Sequence, residues 1–317
     1  MVKLTKLLTW FYLTALLLGT SYTLLDTFVI ARSTNVSGSN VLSSSEETSV
    51  TTSTSPVESS SLVSSEAIIP TFTAWSYRDE NMELTIDVIR RYETQVYVAT
   101  LHTSNHRLIQ SALAQDTYGR NIREKTSSMG ERKQAIFAIN GDYYGFRDDG
   151  FVVRNGLFYR AISRSDSFNQ AVVLDDQGSM FSVKESQTNT STLTAYSPWQ
   201  VWSFGPTLLE NGVFQVDTQS EVPYELDSNP RSSLGQVDED TFLFIVSDGR
   251  TSESAGLSLY ELATVYEEYG AQFAYNLDGG GSATMWFNGR LINKPVNSGS
   301  TISERSVSDC IYVGYDE

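Results

Sequence analysis

Apolar and polar residues alternate with a period of two along Leu84-Thr85-Ile86-Asp87-Val88-Ile89 and along Gln95-Val96-Tyr97-Val98-Ala99-Thr100. Both stretches are rich in β-branched side chains and are expected to be half-buried strands. Three later apolar runs each end in Asn-Gly: Phe151-Val152-Val153-Arg154 before Asn155-Gly156, residues 206–210 before Asn211-Gly212, and residues 284–287 before Asn288-Gly289. Asn-Gly supplies the two positive-φ positions of a tight hairpin, so a hairpin is expected at each. The period changes to that of a helix over residues 258–269, with Ser258 and Glu261 spaced as a capping box and Gly270 placed to end it. Capping, not chemistry, is the role this spacing gives Glu261. Apolar runs at 241–246 and 272–277 flank the helix and suggest a strand-helix-strand unit within a mostly antiparallel sheet. The pattern predicts an α+β fold: a β-rich, mixed-sheet domain with several hairpins and few helices.

Ahead of this domain the pattern is different. Residues 7–25 are almost wholly apolar, Phe28-Val29-Ile30-Ala31 continue the run, and Lys3 and Lys6 precede it. That length suits a bilayer span, and the lysines orient the N-terminus toward the cytoplasm, so residues 1–31 are expected to be a tail and transmembrane anchor. The competing reading is a signal peptide cut before Arg32, but its apolar core would be unusually long. Residues 32–66 are a Ser/Thr/Val/Glu mixture nearly without aromatics, expected to be a disordered stalk. Residues 67–317 form the domain, placed by the anchor on the extracytoplasmic side.

Composition narrows the function. With 22 Lys+Arg against 38 Asp+Glu the net charge is -16, which repels polyanions and argues against nucleic acid as a partner. Cys310 is the single cysteine, so no internal disulfide or cysteine-based zinc site can form. Two histidines, His102 and His106, offer little for a histidine-dependent triad, and the zincin glutamate is missing between them.

Candidate chemistry concentrates in four places. Asp278, at the end of an apolar run, is followed by Gly279-Gly280-Gly281-Ser282, a backbone free to turn its N–H groups toward an anion or merely to connect two strands. Asn140-Gly141-Asp142-Tyr143-Tyr144 joins hydrogen-bonding groups to flat aromatic faces, a combination suited to a sugar, though Asn-Gly also reads as a turn. Arg231, in Pro230-Arg231-Ser232-Ser233, and Arg250, after Asp248-Gly249, carry the planar fork that fits phosphate oxygens. Arg305, after Glu304, is a further fork. Asp142, Asp248 and Asp278 together could also hold calcium or magnesium, although no calcium-loop spacing is present, so no cofactor is assigned.

Taken in chain order, Asn140-Gly141-Asp142-Tyr143, Phe204-Gly205-Pro206, Pro230-Arg231-Ser232-Ser233, Asp248-Gly249-Arg250, residues 256–263, Asn276-Leu277-Asp278-Gly279-Gly280-Gly281-Ser282 and Glu304-Arg305 resemble the blocks of the phosphodiester glycosidase family. The resemblance covers roughly residues 72–313. It implies a hydrolase that cleaves a sugar from a phosphodiester, here in cell-envelope or exopolysaccharide glycans. On that reading Asp278 is nucleophile or general base, with Asp142 or Asp248 as the second carboxylate. Asn140 and Tyr143 position the sugar. Arg231, Arg250 and Arg305 hold the phosphate together with the amides of Gly279, Gly280, Gly281 and Ser282. Two other classes fit the same residues: a non-catalytic glycan-binding or assembly module, and an ordinary glycoside hydrolase, which needs a second carboxylate roughly 5–10 Å from the first.

Overall fold

A computed structural model describes residues 13–22, 30–34, 69–220, 228–297 and 301–315. Its largest sheet has nine strands, in the order Val213–Phe214, Thr207–Glu210, Phe273–Asn276, Ser232–Asp238, Thr241–Ser247, Thr94–His102, Glu83–Arg91, Ser76–Arg78 and Thr71–Phe72. The middle of this sheet is covered on both faces. Phe242, Phe244 and Val246 enter one core with Tyr97, Ala99 and Leu101, while Leu243 and Ile245 point the other way, with Val96 and Val98, against Leu259, Leu262, Ala263 and Tyr266. Double burial explains why residues 241–246 are continuously apolar instead of alternating. The covering helix, Leu259–Glu268, has the expected capping box between Ser258 and Glu261.

The strand-helix-strand unit is present in split form. Thr241–Ser247 and Phe273–Asn276 run in the same direction, but Ser232–Asp238 lies between them, antiparallel to both. Every pairing between named strands is antiparallel, so the expected mixed sheet is instead an antiparallel one. A five-stranded sheet, Arg290–Leu291, Met285–Phe287, Phe137–Asn140, Asp309–Val313 and Ile109–Leu113, packs Phe137, Ile139, Met285 and Ile311 into the same core. Its back is covered by the helix Thr126–Arg132 through Met129, against Ala138, Trp286 and Tyr312. A third sheet, Leu157–Ile162, Gly150–Arg154, Pro198–Ser203, Gln170–Asp175 and Met180–Lys184, closes the domain and adds Trp199 and Trp202 to the core.

All three Asn-Gly pairs form hairpins, with both residues at positive φ: 52° and 77° at Asn155-Gly156, 52° and 71° at Asn211-Gly212, 45° and 79° at Asn288-Gly289. His102 and His106 are not brought together in any metal-binding group among the described residues.

The N-terminal expectations meet the structure only in part. Residues 13–22 are helical, with Leu13, Leu16, Leu17, Leu18 and Tyr22 exposed. Among the described residues no helix is long and apolar enough to cross a membrane; much of the run 7–31 lies outside them. Residues 35–66 of the expected stalk also lie outside the described residues. Its first two residues are in a strand, Arg32–Ser33, paired with Gly119–Arg120, which places them with the folded domain and not with the stalk.

Candidate active site

Three adjacent strands of the large sheet end together. Phe273–Asn276 and Thr241–Ser247 finish where Ser232–Asp238 begins, so the segments after Asn276, after Ser247 and before Ser232 meet at one sheet edge although they lie far apart in the chain. Leu277 N–H donates to Ser232 O at 2.8 Å, and Ser247 N–H to Arg231 O at 2.9 Å. This brings the backbone segments that carry Asp278, Arg231 and Arg250 to one edge, although the Asp248 side chain at that edge turns to a different cleft.

The glycine turn after Asp278 is clamped from several sides. Asn140 Nδ2 donates to Asp278 O at 2.7 Å and Asn140 Oδ1 accepts from Thr284 N–H at 3.2 Å, so one buried amide ties both ends of the turn. A second buried amide, Asn293, grips the residues on either side of Thr284, donating to Ala283 O at 2.9 Å and accepting from Met285 N–H at 2.8 Å. Gly280, at φ +56°, donates its N–H to Pro230 O at 2.8 Å, and a Cβ on Gly279 would stand 2.7 Å from that same carbonyl. The absence of side chains is what lets the turn lie this close to residues 230–231. The amides of Gly280, Ser282 and Ala283 are committed to Pro230, Gly279 and Gly280 carbonyls. Only part of the expected anion nest is therefore available to a ligand.

Two guanidinium groups flank the turn. Arg250 Nη2 lies 3.0 Å from where a Cβ on Gly280 would be, and Arg305 Nη2 lies 2.8 Å from the same position on Gly281. Asn229 Oδ1 accepts from Arg250 at 2.9 and 3.1 Å, and Asn297 Oδ1 accepts from Arg305 Nε at 2.9 Å. Arg305 is set by its neighbour: both oxygens of Glu304 bind Ser127, to the N–H at 2.8 Å and the hydroxyl at 2.6 Å, in the first turn of the helix Thr126–Arg132. Arg231 is buried and its Nε donates to Leu257 O at 2.8 Å.

Beside the turn a cleft of about 300 Å³ is lined by Arg123, Tyr143, Phe146, Asp278, Ser282, Asn297, Arg305, Ser306 and Val307. Tyr143 is exposed and stacks on Phe146 at 4.8 Å, and Arg123 lies 5.9 Å over the Phe146 ring. Tyr144, in contrast, is buried against Tyr118. Of the residues singled out in the sequence, Asp278, Tyr143, Ser282 and Arg305 line this cleft. Arg250, Gly279, Gly280 and Gly281 back it, and Asn140 and Arg231 lie beneath as supports. Arg123, Phe146, Asn229, Asn293 and Asn297 carry no sequence signal, since each acquires its place from a long-range contact.

The other two carboxylates are elsewhere. Asp142 and Asp309 share Arg154, at 3.1 and 2.8 Å, with all three side chains buried. Asp142 also accepts from the N–H groups of Tyr144 and Ser203, both at 2.9 Å. Burial works to raise its pKa, but Arg154, Arg147 and those amides outweigh it and hold Asp142 ionised. Asp309 goes the other way. Burial pushes it up to about 7, with Arg154 pulling down and the Asp142 charge pushing up. In the folded protein Asp309 keeps a proton that the unfolded chain releases near pH 4, so its contribution to stability is present below that pH and is lost as pH rises toward 7. Asp309→Asn removes this titration. Thermal melts of the variant and the parent should therefore show a difference in Tm that moves in the variant's favour from pH 5 to 8; a constant difference would refute the assignment.

Asp248 accepts from Lys294 N–H at 2.7 Å and Tyr97 OH at 3.1 Å, and burial raises its pKa. It lines a separate cleft with Arg90, Gln95, Tyr97, Glu253, Ser254 and Lys294. Asp142, Asp248 and Asp278 thus do not converge, and among the described residues no three acidic, histidine or cysteine side chains form a cation site. The shared-cation alternative raised by the sequence is not supported by this arrangement.

A β-rich, antiparallel domain thus brings a carboxylate, a glycine turn and arginine forks to one sheet edge. The profile of the phosphodiester glycosidase family matches residues 133–314, and the chain belongs to that family. It is similar to the SPbeta prophage-derived uncharacterized protein YomE of Bacillus subtilis (strain 168), 27% identical over 208 residues covering 63% of this chain and 31% of that protein. A shorter match, 40% identical over 65 residues, covers 20% of this chain and 12% of the N-acetylglucosamine-1-phosphodiester alpha-N-acetylglucosaminidase of Mus musculus. The chain therefore spans well under half the length of either relative. The catalytic domain of the zebrafish N-acetylglucosamine-1-phosphodiester alpha-N-acetylglucosaminidase, solved in a form auto-inhibited by its pro-peptide, shares the fold with TM-score 0.58 and 18% identity, over 74% of this chain and 83% of that one.

Proposed function

We propose that the chain is a hydrolase that releases a sugar from a glycosyl-1-phosphate diester of extracytoplasmic or cell-envelope glycans, acting in the Asp278 cleft. One observation carries this reading: among the described residues the cleft holds a single carboxylate, Asp278, with the guanidinium groups of Arg123 and Arg305. An ordinary glycoside hydrolase needs a second carboxylate to protonate its leaving group. A phosphate monoester is a weak base and leaves with little protonation, so arginine forks can take over the acid's work by neutralising the charge that develops on it. In this scheme Tyr143, backed by Phe146, stacks on the sugar. Asp278 attacks the anomeric carbon or deprotonates the water that does. The C–O bond to phosphate breaks, its electron pair leaves with the phosphate, and water oxygen ends on the sugar.

The apolar run 7–25 is the membrane anchor in this proposal. The exposed leucines of the helical residues 13–22 support it. Incubating the full chain with a panel of sugar-1-phosphate diesters should release free sugar and a phosphomonoester. Arg305→Ala should raise KM about tenfold or more, the scale of a lost charge-assisted contact. Absence of release across the panel, with binding retained, would establish the glycan-binding alternative instead.

A further inference from the structure

The edge of the domain beside the cleft is shaped to receive an extended peptide. Gly119–Arg120 pairs with no strand of the three large sheets; its partner is Arg32–Ser33. Thr34 N–H donates to Tyr118 O at 2.9 Å, and Asn121 Nδ2 donates to Ile30 O at 3.0 Å, so residues 30–34 are held along their length. The fit depends on a missing side chain: a Cβ on Gly119 would stand 1.8 Å from Arg32 O. From there the cleft is one step away. Asn121 N–H donates to Gly145 O at 2.9 Å, in the turn Tyr144–Phe146, and both Phe146 and Arg123 line the cleft.

Docking here changes how far the cleft can stand from the apolar run. Between Leu25 and Ile30 the chain can span at most about 17 Å. Through residues 35–68, the other connection, the contour would allow about 110 Å. A domain held only by the longer connection could work at any height; one held at residues 30–34 cannot. We propose that residues 30–34 are a strap that docks on the Tyr118 to Asn121 edge and holds the cleft near the membrane surface, so that the substrate is a phosphate-linked sugar borne on that surface. The proposal rests on the anchor and on the phosphodiester reading of the cleft.

Amide exchange of the full chain in phosphatidylcholine vesicles tests the strap without reference to activity. The Thr34 amide should exchange at least tenfold more slowly than an unstructured amide, and Gly119→Ala should abolish that protection. Asn121→Ala, which removes the side-chain bond to Ile30 and leaves Gly119 in place, should weaken it and serves if the glycine variant folds poorly. Turnover then tests the consequence, using N-acetylglucosamine-1-phosphate esterified either to a long-chain alcohol in the same vesicles or to methanol in solution. Release of the strap should lower the ratio of vesicle-borne to soluble turnover about fivefold or more, with soluble turnover unchanged. An unprotected Thr34 amide in the parent protein overturns the strap, and an unchanged ratio after loss of protection overturns its role in reaching the substrate. If neither ester is turned over, the phosphodiester reading fails and the exchange result still decides the strap.

Discussion

Arg154→Met should destabilise the protein by about 3–5 kcal/mol, the usual cost of removing one partner from a buried ion pair. For a domain of this size that is a fall in melting temperature of about 10 °C. Arg154 is 2% exposed and stands between Asp142 and Asp309, whose side chains are fully buried. It also donates to the carbonyls of Val153 and Val201 and lies 5.7 Å over the rings of Tyr144 and Trp202. Methionine fills most of the volume but leaves two carboxylates and two carbonyls in a low-dielectric site without the cation. Thermal melts of Arg154→Met and of a triple variant that adds Asp142→Asn and Asp309→Asn separate charge from packing. The triple variant should recover a large part of the loss, because it removes the uncompensated charge. A single variant melting within about 2 °C of the parent would mean that the cluster contributes little to holding Gly141-Asp142 and Asp309 in place.

That cluster also marks the boundary of what the chain makes legible. The hairpins at Asn155, Asn211 and Asn288 could be read because two adjacent residues encode each of them. The turn at Tyr92-Glu93 could not, since both residues adopt positive φ, 48° and 54°, without a glycine to announce it. It is imposed by the long ladder between Glu83–Arg91 and Thr94–His102. Chemistry follows the same division. Asp278 and its glycines stand out locally, as does Arg305 through its family block. Whether a carboxylate faces solvent or a buried arginine is decided by partners far away in the chain, such as Asp309, 155 residues from Arg154. Asp142 and Asp278 each sit in an apolar-strand-then-glycine context, and nothing local told which would line the cleft. Glu304 is another such case: its partner Ser127 is 177 residues away, and only that contact reveals it as the group that sets Arg305.

Asp278→Asn is expected to lower turnover of a sugar-1-phosphate diester by about 10²–10⁴-fold, the range for loss of a positioned acid–base group, and by more if Asp278 is the nucleophile. Stability should move by less than about 1 kcal/mol, because the residue is only half-buried and the turn is anchored through its backbone: Asn140 grips Asp278 O, and Pro230 O accepts from Gly280. Asparagine preserves shape and removes the charge, so a fall in kcat with KM nearly constant would mean that the charge acts in the transition state. Hydrolysis in ¹⁸O-labelled water gives the reaction its direction. The proposed mechanism, with one carboxylate beside an aromatic platform and two arginines, puts attack at the anomeric carbon and predicts that the label appears in the released sugar. Label confined to the phosphate would mean attack at phosphorus, and the arginines would then be stabilising an in-line transfer instead of a leaving group. If Asp278→Asn loses folding together with activity, Asp278 is a support of the glycine turn, and the search for the nucleophile moves to the other groups of the cleft.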